Sequence, residues 1–349
     1  ASDVYKRQEL NRIYLDAFRE EQIYRIDHFL GKETVQNILA LRFANSVFEP
    51  LWNRNYIDYV EITAVENMGI GTRGGFYDGV GTLRDMVQNH LAQLLAVTAM
   101  EPPAAFDASG FRNEVVKVYQ SLTPLTGEDI RHSVVRGQYM ASEGRKGYRE
   151  EEQVPALSRT ETYLAMRLEL NNWRWGGVPF YIRTGKQMPT KVSEIVIHFK
   201  PAPYSLFRCE GGTCPVPNRL VIRIQPNEGI VLRLGMKKPG EGFEVLPMDM
   251  DFSYAELGRL PTEDAYARLI EDCIAGDPTL FIRSDAVESG WRFFDPILKY
   301  WQDVPECPLY GYPAGSWGPL EADSLVARQG ASWTNPCKNL TNTHLYCEL

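Results

Sequence analysis

The densest group of reactive side chains in the chain is Arg25-Ile26-Asp27-His28-Phe29-Leu30-Gly31-Lys32-Glu33. It stands where an extended run gives way to a helical pattern, so side chains and free helix amides can face one ligand. An anion is favoured there by the helix N-terminus and by His28 and Lys32. A capping Asp27 beside solvated charges fits the same spacing.

His90 ends Arg84-Asp85-Met86-Val87-Gln88-Asn89-His90. Helical spacing puts it in line with Leu83, Val87, Leu94 and Val97, where a core histidine satisfied by a neighbour is the plain reading. A partly buried imidazole near a carboxylate would instead titrate close to neutral pH and serve as a general base. Asp85 closes a capping-box-like Thr82-Leu83-Arg84-Asp85, and Glu66 stands at a strand end, where an edge charge would look the same. Lys186 and Lys191 follow the apolar run Gly177 to Ile182. Gly185 beside Lys186 lets backbone approach a ligand closely, although a solvated turn with two lysines reads alike. Gly69-Ile70-Gly71-Thr72-Arg73-Gly74 fits a dinucleotide turn, but the glycine-rich continuation to Gly81 cannot carry a helix well, so it reads as a flexible loop.

These residues need elements to position them. Helical spacing runs from Leu10 to Phe18, Glu33 to Phe43, Thr82 to Met100, Glu161 to Trp173, Glu263 to Ile274 and Asp285 to Trp301. Extended runs are Gln22 to Ile26, Tyr59 to Val65, Val115 to Tyr119, Val134 to Met140, Glu194 to Phe199, Leu220 to Ile224, Ile230 to Met236 and, more weakly, Val245 to Phe252. Strands in series with helices grouped predict an α+β fold, a large mostly antiparallel sheet backed by helices. The first helix and strand read as the end of a preceding α/β unit, and most of the chain reads as one domain.

The 349 residues carry 37 basic and 45 acidic side chains, a net charge of -8, which disfavours a nucleic-acid partner. A small phosphorylated ligand stays open if a few cations converge. No apolar run approaches the length of a membrane helix, and no secretory signal opens the sequence. Six scattered cysteines, Cys209, Cys214, Cys273, Cys307, Cys337 and Cys347, form neither a zinc framework nor a disulfide scaffold. No metal site is expected. A reduced cytoplasmic setting follows, in which the Asn339-Leu340-Thr341 sequon is incidental.

Taken together, these segments resemble the glucose-6-phosphate dehydrogenase family. The resemblance rests on Arg25 to Glu33, with Phe29 in place of the family's Tyr, on Leu41 to Asn45, Gly74 to Asp78, Arg84 to His90 and Asn172 to Lys186. It continues through Val221 to Glu228, Asp277 to Arg283 and Tyr312 to Asp323, in family order over nearly the whole chain.

That resemblance implies a role for each matching residue. His90 is the base that takes the proton of the sugar C1 hydroxyl, and Asp27 is the carboxylate that orients it. His28 and Lys32 hold the phosphate of glucose 6-phosphate. Glu66, Asp85 and Lys186 hold its hydroxyls, and Lys191 adds a further substrate contact. Phe29 lacks the phenolic hydroxyl that helps hold the phosphate, a loss of about 1.5–3 kcal/mol.

The implied activity oxidises glucose 6-phosphate to 6-phosphogluconolactone with NADP, the entry to the pentose phosphate pathway. The family's glycine-rich fingerprint and Lys-bearing E-K-P-F-G segment do not occur here. Residues 1–27 therefore read as the remnant of the NADP-binding, Rossmann-like domain, and 28–349 as the substrate-binding and dimerisation domain. The expectation is an N-terminally truncated chain, without a coenzyme site and unable to turn over alone. Val231 stands where the aromatic of a second, structural NADP site would be, so that site is not expected. A homodimer or homotetramer through the sheet is implied. A non-catalytic sugar-phosphate-binding paralogue is the alternative.

Overall fold

The alternating stretch around Tyr59 to Val65 forms strand β1 (Ile57–Val65), buried on both faces for most of its length. A computed structural model describes residues 4–204, 206–209, 218–240, 242–254, 264–327 and 331–336. The further strands are β2 (Val134–Met140), β3 (Tyr163–Glu169), β4 (Pro179–Gly185), β5 (Val192–Phe199), β6 (Arg208–Cys209), β7 (Arg219–Gln225), β8 (Gly229–Lys237), β9 (Glu244–Ser253) and β10 (Tyr310–Pro313). They form one ten-stranded sheet in the order β10-β2-β3-β4-β1-β5-β7-β8-β9-β6. Only β10–β2, β1–β4 and β6–β9 pair in parallel, so the sheet is mostly antiparallel as the sequence predicts.

The helices are α1 (Val4–Ala17), α2 (Glu33–Phe43), α3 (Gly74–Asp78), α4 (Ala92–Ala99), α5 (Ala108–Gln120), α6 (Gly127–Ser133), α7 (Ala265–Ala275), α8 (Ser284–Asp303) and α9 (Asp323–Ala327). A π-wound stretch, Leu83–Leu91, runs directly into α4. The main core lies between one sheet face and the helices, joining Val35 and Ile38 of α2, Leu94 and Leu95 of α4, Val115 of α5 and Phe294 and Ile297 of α8 to Ile62, Leu164 and Ile182. The opposite face carries a second, tyrosine-rich core of Tyr77, Tyr139, Tyr148, Tyr163, Tyr181 and Tyr312, closed by α9 and Trp333.

Three expected elements fold differently. Val115 to Tyr119 is helical within α5, because Phe111, Val115, Val118 and Tyr119 make one face and Asp107 caps the first turn through Gly110 N–H at 2.7 Å. Glu161 to Trp173 holds strand β3 instead of a helix. Its Leu164, Met166 and Leu168 enter the main core while Tyr163 and Ala165 enter the second, a period of two. Pairing to β2 and β4 on both sides outweighs the helix propensity of its Leu, Met, Arg and Glu residues. Gln22 to Ile26 joins no sheet; Arg25 O accepts one bond from Ile282 N, and the Arg25 guanidinium is spent on Glu20 and Asn11.

Cys273 and Cys307 are free thiols, whereas Cys214, Cys337, Cys347 and the sequon lie outside the described residues. Among the described residues, no helix is long and apolar enough to cross a membrane.

Candidate active site

Sheet register explains why Glu66, Lys186, Lys191 and Gln225 converge. Parallel β1 and β4 end together at Val65 and Gly185, so Glu66 and Lys186 emerge side by side. Val65 also faces Val192 of antiparallel β5, which puts Lys191 at the same sheet end, and Ser193 faces Gln225 at the end of β7. Four adjacent strands thus present polar ends in one row. The main chain locks the first two, through Glu66 N–H to Gly185 O at 2.9 Å and Met188 N–H to Glu66 O at 2.9 Å.

Lys186 is the buried member, its side chain 5% exposed. Its ammonium donates to Glu66 Oε2 at 2.5 Å, stands 3.5 Å from Asp85 Oδ2, and lies 5.2 Å from the Tyr77 ring centre. Glu66 and Asp85 stay about one third exposed, so each keeps accepting capacity for a hydroxyl-bearing ligand.

Asp85 and His90 are five residues apart, a spacing that in a regular α-helix would turn them ~140° from one another. The π winding, in which Ala92 N–H reaches Val87 O, brings residues five apart to a common side. It also rotates His90 to the edge of the apolar stripe, leaving its side chain 19% exposed.

The imidazole meets the turn that precedes α2. His90 Nδ1 lies 2.7 Å from Asp27 Oδ1, which also accepts Phe29 N–H at 2.9 Å. Asp27 is 3% exposed, so this bond is shielded from water, and with Nδ1–H donated to the carboxylate, Nε2 is the free acceptor. Phe29 lies nearly parallel to the imidazole, with centroids 4.6 Å apart at 19°.

His28 stacks on Tyr266 of α7 at 5.5 Å and meets His90 edge-on at 4.5 Å. Burial first, then the neighbouring His90, push its titration below the ordinary 6.5. Lys32 donates to Gln225 Oε1 and lies 4.8 Å from the Phe29 ring centre. Burial, and Lys191 nearby, lower its ammonium from the usual range, opposed by Glu228. Lys32 and Lys191 repel each other, and Lys32 also loses water, so this corner is poised for an anion that His28 can meet by taking up a proton.

Asp27, His28 and His90 offer metal-ligand atoms within 4.8 Å of one another. Donors on a tetrahedral ion with bonds of about 2.0–2.2 Å would stand much closer, and His90 Nδ1 and Asp27 Oδ1 are spent on each other. The arrangement suits proton transfer better than metal binding.

The structure brings all eight sequence-predicted residues to this sheet end and the helix starts around it: Asp27, His28, Lys32, Glu66, Asp85, His90, Lys186 and Lys191. Sequence reasoning missed Gln225 and Tyr266. Gln225 directly follows the extended run read over Leu220 to Ile224, and only strand order shows that it stands beside Lys32. Tyr266 arrives because Gly31 admits the start of α7; a Cβ at Gly31 would stand 2.4 Å from Ala265 O. The glycine-rich loop forms no dinucleotide turn. It makes a short 3-10 turn and the five-residue α3, where a Cβ on Gly74 would stand 2.0 Å from Glu152 O, leaving no room for a pyrophosphate.

A family model described as glucose-6-phosphate dehydrogenase, C-terminal domain, matches residues 39–334, and one described as its NAD binding domain matches residues 1–37. Among curated relatives, a glucose-6-phosphate 1-dehydrogenase of Aggregatibacter actinomycetemcomitans is 55% identical over 323 residues, covering 91% of this chain and 64% of that protein. One of Treponema pallidum (strain Nichols) is 50% identical over 347 residues, covering 98% and 67%. The chain thus spans about two thirds of these relatives' length. The matches fix the extent of similarity and do not bear out the expected truncation.

A solved glucose-6-phosphate dehydrogenase in complex with its substrate glucose-6-phosphate superposes with a TM-score of 0.88 at 34% identity, covering 96% of this chain and 68% of that one. The Mycobacterium avium glucose-6-phosphate 1-dehydrogenase gives 0.82 at 38% identity, covering 97% and 69%. With a family model spanning most of its length and relatives this similar, the chain belongs to the glucose-6-phosphate dehydrogenase family.

Proposed function

We infer that this chain supplies the substrate site for oxidation of glucose 6-phosphate to 6-phosphogluconolactone, the entry step of the pentose phosphate pathway. The observation that carries the reading is the shielded His90–Asp27 pair, flanked on one side by His28 and Lys32 and on the other by Lys186 with its two carboxylates.

In this reading the phosphate lies against His28 and Lys32, with Lys191 as a further cation. It relieves the repulsion between Lys32 and Lys191 and favours the protonated His28 ring. Glu66 and Asp85 accept from the sugar hydroxyls, and Lys186 holds the two carboxylates in place while donating to a hydroxyl oxygen. His90 Nε2 accepts the proton of the C1 hydroxyl, and Asp27 stabilises the imidazolium that forms. General-base assistance of this kind contributes about 10²–10⁴-fold.

Family membership implies NADP, which in the whole enzyme supplies the hydride acceptor. The glycine-rich loop does not fit it, since Glu152 and Gln153 close that loop, and no step is assigned to the coenzyme. Residues 1–27 as the end of a coenzyme domain and 28–349 as the substrate domain belong to the same reading; the family matches support that order of parts, with their own changeover between 37 and 39. Association of two or four copies through the sheet belongs to the same proposal, supported by exposed Met236, Met248, Met250 and Phe252 on β8 and β9. So does a cytoplasmic location.

Calorimetric titration with glucose 6-phosphate tests the reading. The wild-type chain should bind, and a His28→Ala, Lys32→Ala double variant should lose that binding. Absence of binding by the folded wild type, or its persistence in the double variant, would refute the phosphate assignment.

A further inference from the structure

Glu161 is a fully buried carboxylate to which the proposed reaction assigns no part. Its Oε1 accepts the N–H of Leu83 at 3.0 Å, the first residue of the π-wound stretch that carries Asp85 and His90. Its main-chain carbonyl accepts Thr82 N–H at 3.2 Å and the Thr82 hydroxyl at 3.0 Å. The carboxylate occupies space that only glycine leaves open. A Cβ on Gly81 would stand 2.5 Å from Glu161 Oε1, and Gly81 has φ +74°.

Thr162, the next residue, holds Lys186. Its carbonyl accepts Lys186 N–H at 2.9 Å, and the buried Tyr312 hydroxyl donates to Lys186 O at 2.7 Å. Consecutive residues of one strand entry therefore fix both the helix start and the Lys186 backbone.

Tyr77 closes this circuit from the other side. It is 3% exposed, its ring centre lies 5.2 Å from the Lys186 ammonium, and its hydroxyl lies 2.6 Å from Thr82 Oγ1. The Thr82 proton is committed to Glu161 O, so Tyr77 is the donor in that bond.

We propose that Tyr77 is a positioning residue that, through Thr82 and Glu161, holds Lys186 in register with the helix carrying Asp85 and His90. The proposal rests on the roles given above to Lys186, Asp85 and His90. Packing alone would be served equally by phenylalanine, so the hydroxyl distinguishes the two accounts.

The test compares Tyr77→Phe, Tyr77→Leu, Thr82→Val and Thr82→Ser. Each variant is first checked for folding by thermal denaturation. Two readouts follow: glucose 6-phosphate affinity by calorimetry, and the downfield NMR signal of the His90 Nδ1 proton shared with Asp27.

Tyr77→Phe and Thr82→Val should each weaken binding by about three- to tenfold, the worth of one hydrogen bond, and shift or broaden the His90 proton. Tyr77→Leu, which also strips the ring from Lys186, should weaken it further. Thr82→Ser should restore both readouts, and the Tyr77→Phe, Thr82→Val double variant should be no worse than Thr82→Val alone. Folded Tyr77→Phe and Thr82→Val chains with unchanged affinity and an unchanged His90 proton would overturn the proposal. If the wild type binds no glucose 6-phosphate, the functional reading falls, and the His90 proton still decides the coupling.

Discussion

Phe29 lies face to face with His90, 4.6 Å between centroids, and presents its other contacts to Lys32, whose ammonium stands 4.8 Å from the ring centre. The ring is 3% exposed and touches both the imidazole of the proton-transferring pair and the Lys32 ammonium. Its backbone N–H donates to Asp27 Oδ1, so the same residue orients the carboxylate that orients the imidazole.

The first prediction concerns this ring. Phe29→Tyr, restoring a hydroxyl at the phosphate corner, should tighten glucose 6-phosphate binding by about tenfold or more, the effect of one hydrogen bond to a charged group. Phe29→Ala should leave a cavity beneath His90 and cost about 3–5 kcal/mol of stability. Calorimetry and chemical denaturation read the two effects, and unchanged affinity in a folded Phe29→Tyr chain would show that the phosphate lies elsewhere.

The second concerns the buried pair. Asp27→Asn keeps the shape of the side chain but replaces the carboxylate that accepts from His90 Nδ1, freeing the ring to present the wrong tautomer. In an enzyme in which a relative's coenzyme domain precedes this chain, kcat should fall by about 10²–10⁴-fold while glucose 6-phosphate affinity changes little. Steady-state kinetics beside direct binding checks this, and equal loss of both would make Asp27 a ligand residue instead.

The third is a proton count. His28 titrates below 6.5 in the free chain because it is buried beside His90 and near Lys32. A bound phosphate favours the protonated ring, so binding takes up a proton between the lowered free value and the raised bound one. Affinity should fall as pH rises through the bound value. Titrations in buffers of different ionisation enthalpy measure the uptake, which His28→Gln should abolish.

The fourth lies on the opposite sheet face. His198 Nε2 and Glu61 Oε1 are 2.6 Å apart, and Thr334 donates to both Glu61 oxygens, tying residues 331–336 to β1. Burial would raise the Glu61 carboxyl, but His198 and Thr334 hold it below the ordinary value. This contribution is therefore present above the unfolded value of 4.5 and is lost as pH falls through the lowered folded one. His198→Ala should cost about 3–5 kcal/mol by stranding a buried charge, and denaturant melts should show its acid sensitivity shifted upward in pH. A melt identical to wild type would exclude an ion pair.

How much of this was legible beforehand differs by residue. Asp27, His28 and Lys32 are close in sequence at a junction of extended chain and helix, so their grouping was legible locally, while the spacing fitted a capping Asp27 beside solvated charges equally well. The strand periods of β1, β2, β5, β7 and β8 were equally local, because a half-buried strand must alternate. Where the residues of a segment satisfied both periods, local pattern misled. Val115 to Tyr119 alternates by accident of a helical face, and Glu161 to Trp173 is rich in helix formers that strand pairing overrules.

The sequence by itself determined which side chains are available for proton transfer and anion binding, and that strands outnumber alternating β-α units. Only the tertiary structure decided that β1, β4, β5 and β7 end in one row, which puts Glu66, Lys186, Lys191 and Gln225 together. It likewise decided the π winding that turns Asp85 and His90 to one side, and the packing of α7 on Gly31 that sets Tyr266 on His28. Strand order and helix winding depend on contacts between residues far apart in the chain, and hydrophobic periodicity records only which face of a segment is buried, not against what.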